Sequence, residues 1–171
     1  AVILPDDLQL EECPWVLQIT DSKCIPKGKR EILSEKIKNW AKDYFIAWAS
    51  VDEIDEINIF HASHLAMKRS VAGLQLKVDH VLVDGKFVPK YVDYQQTAVI
   101  QGDKKSLSIA CASILAKVAR DHYMNQLELE FPGYGLSQHK GYPTPVHKKL
   151  LIEKGPSVIH RKSFKPVSDL L

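Results

Sequence analysis

The chain has 171 residues, 45% of them hydrophobic and 26% charged, which is the composition of a globular domain long enough to bury a sizeable core. A net charge of +2 is too small to imply a polyanionic partner by itself, and no apolar run approaches the roughly 18 residues that a membrane-spanning helix needs. The three cysteines, Cys13, Cys24 and Cys111, form no CxxC or other ligand spacing, and reduced structural thiols in a cytoplasmic protein fit them best.

AVILP opens the chain as the end of a strand whose beginning is absent, without an initiator Met, which suggests a fragment or a processed chain. DDLQLEECP is loop-like, and WVLQIT reads as a short strand or buried loop leading to Asp21-Ser22-Lys23. Residues 26–43 predict an amphipathic helix with Ile32, Leu33, Ile37, Trp40 and Ala41 inward. Tyr44 to Val51 alternates as a strand, VDEIDEIN is a short acidic helix or turn, and Asn58 is an N-cap for the helix after it. His80 to Val83 is a buried strand ending in Asp84-Gly85, the stretch to Tyr94 is irregular, and Thr97 to Ile100 is a further strand. A long helix follows to about Glu130, where Pro132-Gly133 stops it, and Thr144 to Lys154 is the last helix, with Pro145 in its first turn. Strands alternating with helices make this α/β, with residues 1–171 as one domain and no internal repeat.

Within Lys104 to Asp121, residues Leu107, Ala110, Cys111, Ile114, Leu115 and Val118 share one helical stripe, and Asp121 falls near its middle. A carboxylate aimed at a core is costly unless it is paired, protonated or holding a metal. An interhelical cap, a buried ion pair or an i,i+4 contact back to Lys117 would also serve, and on this helix alone one of those is favoured. Asp84 closes an apolar strand, where Asp-Gly is a common turn signal, yet strand ends of α/β sheets also collect metal and phosphate sites. Together Asp84 and Asp121 make a possible hard-cation site suited to Mg²⁺ or Mn²⁺, though two carboxylates are a meagre set.

PGYG-LSQHKGYPT offers glycines for close backbone approach, with His139, Lys140 and two tyrosines. Tyr134 reads as an aromatic pinning a Gly/Pro loop; for Tyr142 that reading and stacking on a sugar or base both stand. Asp21-Ser22-Lys23 caps a helix or presents Ser22 and Lys23 to a phosphate, with the cap favoured on spacing. His61 and His64 lack the context of a zinc site, and there is no GxSxG, Walker or GxGxxG motif. From Pro132 onward seven Lys and Arg face only Glu153 and Asp169, a surface that suits phosphate contacts or a merely solvated face.

QGDKKSLSIACASILAKVARD, PGYGLSQHKGYPT, GPSVIHRKSFKPV, the VDG at Val83 to Gly85, the DSK at Asp21 to Lys23 and EIDEINIFHASHLAM run in one order over nearly the whole chain. Together they resemble bacterial ribonuclease HII. The resemblance implies a ribonuclease H-like fold, a mixed five-stranded sheet flanked by helices with a helical C-terminal part. It implies an endonuclease that cleaves the RNA strand of RNA–DNA hybrids and incises 5′ to ribonucleotides embedded in duplex DNA, leaving a 3′-hydroxyl and a 5′-phosphate. In that family four carboxylates hold two Mg²⁺ or Mn²⁺ ions. Asp84 and Asp121 match two of them as catalytic and metal-binding residues, and Tyr142 matches the tyrosine that stacks on the deoxyribose beside the ribonucleotide. Ser22, Lys23 and Lys140 are the further substrate-binding candidates.

The departures bear on activity. The family's first, central strand carries a DEAGRG motif with the other two carboxylates, and nothing like it occurs in this sequence. Gln101 stands where a lysine is usual, and Cys24-Ile25-Pro26 where Lys-Leu-Ser is usual. The expectation is therefore a monomeric cytoplasmic ribonuclease HII, truncated at its N-terminus, whose 171-residue chain alone is inactive. The alternatives are a catalytically dead hybrid-binding module and a small α/β RNA-binding or scaffolding domain.

Overall fold

The structure is a computed structural model that describes residues 1–7, 11–90 and 94–171. Two expected loop stretches therefore lie partly outside the described residues: DDLQLEECP, at 8–10, and the irregular segment before Tyr94, at 91–93. The described residues gather into two compact units, one of residues 1–48 and 64–118, the other of residues 49–63 and 119–171.

The first unit is built on α1 (Lys27–Trp40) and the leading half of α4 (Leu107–Glu130). Spacing of three and four residues along each helix places Leu33 and Ile37 on one stripe, and Cys111, Ile114, Leu115 and Val118 on the other. These residues and Ile25 form one buried cluster, flanked by Trp15, Trp40 and Leu107. Ile37 and Ile114 are fully enclosed, and burying a side chain of that size contributes about 1.5–3 kcal/mol. Burial also pushes the Cys111 thiol up to about 12, so it is a reduced apolar filler rather than a nucleophile.

The described residues of this unit also form four short strands. β1 (Val2–Ile3) pairs antiparallel with β2 (Asp43–Tyr44), and β3 (His80–Asp84) pairs parallel with β4 (Gln95–Val99) in the register Asp84 to Val99. The expected α/β class and helical C-terminal part are present, and the described strands form two ladders of two in place of one sheet of five. The strand expected from Tyr44 to Val51 is only Asp43–Tyr44, because its partner β1 is two residues long and Val51 already starts α2 (Val51–Ala72). WVLQIT is not a strand: Pro14–Gln18 is a 3-10 turn, opened by Pro14 with its locked φ.

The long helix expected from Lys104 is two helices. α3 (Gly102–Lys105) ends at Ser106, whose extended backbone (φ −131°, ψ 123°) breaks the run before α4 begins. The expected cap at Asn58 is real. Its φ of 63° interrupts α2, and its side-chain oxygen accepts the N–H groups of Phe60 and His61 at 3.0 and 3.3 Å.

In the second unit, Leu127 on α4, Leu136 on α5 (Leu136–His139), Leu151 on α6 (Pro145–Lys154), Tyr134 and Val167 make the buried cluster. Tyr134 pins the Gly/Pro loop as expected, its hydroxyl donating to the Gly155 carbonyl at 2.9 Å. Thr144 caps α6 by accepting the His147 N–H at 3.2 Å, with Pro145 at the first helical position. Asp55, on the leading half of α2, clasps the C-terminal segment through the N–H groups of Lys162 and Ser163 at 2.8 and 2.9 Å. Burial would raise its carboxyl, but these bonds and one from the Ser163 hydroxyl hold it below the usual carboxylate range.

Candidate functional site

In the first unit, Asp84 sits at the exposed C-terminal end of β3, where the ladder runs out into Gly85. Gly85 adopts φ 115°, open to glycine, and donates its N–H to Val99 at 3.0 Å, so the strand turns without losing its last bond. The Asp84 carboxylate accepts the Gly102 N–H at 2.8 Å, at the entry to α3. A Cβ on Gly102 would meet Ile109 at 2.6 Å and the Asp84 carboxylate at 3.2 Å, so a residue without a side chain keeps this carboxylate in place. Gln101 precedes it in the left-handed region, φ 55°.

The Asp21-Ser22-Lys23 turn caps no helix, contrary to the favoured expectation: α1 has Pro26 at its N-cap without a side-chain cap bond, and the turn closes on itself. Asp21 accepts the Lys23 N–H on its side chain and the Cys24 N–H on its carbonyl, both at 2.9 Å. Arg30, buried on α1, donates to the Ser22 and Ile25 carbonyls at 2.5 and 3.1 Å and fixes the turn from beneath. Ser22 points inward and shares a 2.9 Å bond with the Ser113 hydroxyl, whereas Lys23 is exposed.

In the second unit, Asp121 is 5% exposed on α4, so the inward acid expected from the stripe is found there. Lys140 is buried too: its ammonium donates to the Asp121 carbonyl at 3.3 Å and to the Asn125 side chain. Tyr142 is 53% exposed, unlike Tyr134, and Arg120 lies over its ring at 5.0 Å. Sequence reasoning passed over Arg120, although it adjoins Asp121 and lies off the apolar stripe. It also missed a row of buried histidines, visible only as motif letters: His139 stacks on His147 at 4.0 Å, and His147 tilts against His160 at 5.7 Å. Burial lowers the pKa of His147 and of His160, and the neighbouring imidazoles lower both further.

Two solved structures share this architecture. A ribonuclease H2 from Pyrococcus horikoshii OT3 superposes with a TM-score of 0.78 over 95% of this chain and 83% of its own, at 24% identity. The ribonuclease HII in a PCNA complex from Archaeoglobus fulgidus gives 0.68 over 99% and 86%, also at 24%. The fold is thus that of the type 2 ribonucleases H.

The sequence comparisons narrow this further. The ribonuclease HII family model matches residues 8–167. A ribonuclease HII of Myxococcus xanthus (strain DK1622) is 48% identical over all 171 residues, and the chain spans 56% of that relative's length. The chain belongs to the ribonuclease HII family.

Family membership implies two-metal-ion chemistry. Asp84 and Asp121 are oxygen donors of the right kind for Mg²⁺ or Mn²⁺. In number they fall short: among the described residues no group of three or more His, Cys, Asp or Glu side chains is placed to hold a metal ion.

Proposed function

We propose that the chain is a substrate-binding part of a ribonuclease HII, recognising RNA–DNA hybrids and duplex DNA that contains a ribonucleotide. Asp84 and Asp121 are two of the carboxylates that serve cleavage 5′ to the ribonucleotide, yielding a 3′-hydroxyl and a 5′-phosphate. With the donor set incomplete among the described residues, this chain alone has little or no hydrolytic activity. Mg²⁺ or Mn²⁺ is the cation such acids would take.

Each residue has a part that does not depend on the cation. Tyr142 offers a half-exposed ring to the deoxyribose beside the ribonucleotide, where a 2′-hydroxyl distinguishes RNA from DNA. Lys23 offers an exposed ammonium to the phosphate backbone, on a turn that Asp21 and Arg30 hold rigid. Lys140 acts from within, with its ammonium on α4, and Ser22 through its bond to Ser113. Gln101, neutral where a lysine is usual, leaves the phosphate contacts weaker. We place the protein in the cytoplasm as a monomer.

The 48% identity to a ribonuclease HII over all 171 residues carries this reading. Fluorescence anisotropy with labelled duplexes in EDTA tests it. The chain should bind an RNA–DNA hybrid and a single-ribonucleotide duplex more tightly than all-DNA of the same sequence, with affinity falling as salt rises. Equal affinity for all three would refute substrate recognition by this chain.

A further inference from the structure

Arg120 stands one residue before Asp121 on α4 and makes two contacts with the turn that follows α5. It donates through Nη2 to the Lys140 carbonyl at 2.7 Å, and its guanidinium lies 5.0 Å from the centre of the Tyr142 ring. Lys140 returns the tie through the Asp121 carbonyl and Asn125. The turn is stiff in its own right. Lys140 and Gly141 both sit at positive φ, 51° and 77°, and the Tyr142 N–H donates to the His139 carbonyl at 2.9 Å. His139 is locked beside it, donating from Nε2 to the Tyr134 carbonyl at 2.7 Å and accepting the Gly141 N–H on Nδ1 at 3.1 Å. With the backbone of 139–142 held from both sides, the freedom left is that of the Tyr142 side chain.

We infer that Arg120 is a positioning residue for Tyr142: its planar cation covers one face of the ring and sets the angle at which the other meets a deoxyribose. The inference rests on the proposed stacking role of Tyr142. Arginine suits the task because one planar fork can bond a carbonyl and stack on an aromatic face together, which a lysine ammonium does poorly.

The test uses the full chain labelled with ¹³C-tyrosine, with the Tyr142 signals assigned through Tyr142→Phe. Arg120→Gln should move the Tyr142 ring resonances in the absence of nucleic acid. It should also lower the preference for a single-ribonucleotide duplex over all-DNA by about three- to fivefold, leaving the salt dependence of binding unchanged. Arg120→Lys, which keeps the charge and loses the planar guanidinium, is the second variant and should shift the ring in the same way. Ring resonances that stay in place in both variants overturn the inference. So does a salt slope reduced by about one with the preference intact, the mark of a direct phosphate contact. If Tyr142→Ala abolishes the preference while Arg120→Gln keeps it, the positioning role fails and the proposed function stands. If Tyr142→Ala leaves the preference untouched, the stacking role itself falls and takes the inference with it.

Discussion

Asp84 and Asp121 meet opposite environments, and each carries its own consequence. Asp84 is exposed, and its carboxylate accepts the Gly102 N–H at 2.8 Å. Asn at position 84 keeps an oxygen for that N–H; Ala leaves it without its side-chain acceptor. Asp84→Asn should therefore leave stability within about 0.5 kcal/mol of wild type, and Asp84→Ala should cost about 1 kcal/mol, both read by urea unfolding. Equal losses in the two variants would show that the bond contributes nothing. Asp121 was legible from its place on the apolar stripe, since helical periodicity fixes which side chains point inward. The ammonium of Lys140 was not: the sequence offers a lysine in a glycine loop, and only the left-handed turn at 140–141 folds it back onto α4. Arg120 was hidden for the same reason, because its partner Tyr142 is set by that turn.

Helices were easier to read than strands, and the reason is local. Caps and periodicity lie within a few residues of the element they define. Asn58, Thr144 and Pro145 announce their helices, whereas the break at Ser106 is carried by one hydroxyl residue in a run that otherwise reads as helix. A strand needs a partner distant in sequence, so its length cannot be judged alone: β2 stops at two residues because β1 does. Asn58 gives the sharpest prediction at this scale, since it is both cap and positive-φ residue. Asn58→Gly, which accepts φ 63° freely, should cost a few tenths of a kcal/mol. Asn58→Ala loses the cap and strains the backbone, and should cost about 2 kcal/mol. Thermal unfolding of the two variants compares them, and an alanine variant as stable as the glycine one would deny the cap any role.

Across the whole molecule the family motifs fixed the fold class at a distance no local rule reaches, while the pairing of the strands into two ladders was not in them. The buried histidines make stability depend on pH. His147 and His160 have pKa values below the ordinary 6.5 because burial disfavours their charged forms. The unfolded chain binds protons that the folded chain resists, so their contribution is fully present above about pH 6.5 and is lost as pH falls through the lowered values. Chemical denaturation between pH 7.5 and 5 should show stability falling on the acid side, and less steeply in His147→Gln. A slope unchanged by that substitution would exclude His147 as a source.

Asp84 and Asp121 are proposed as two of the carboxylates a ribonuclease HII uses, and among the described residues no group of three or more His, Cys, Asp or Glu side chains is placed to hold a metal ion. An end-labelled duplex with one embedded ribonucleotide, incubated with the 171-residue chain and Mn²⁺, measures this directly. The duplex should be bound and stay intact; robust incision on the 5′ side of the ribonucleotide would contradict the proposed function.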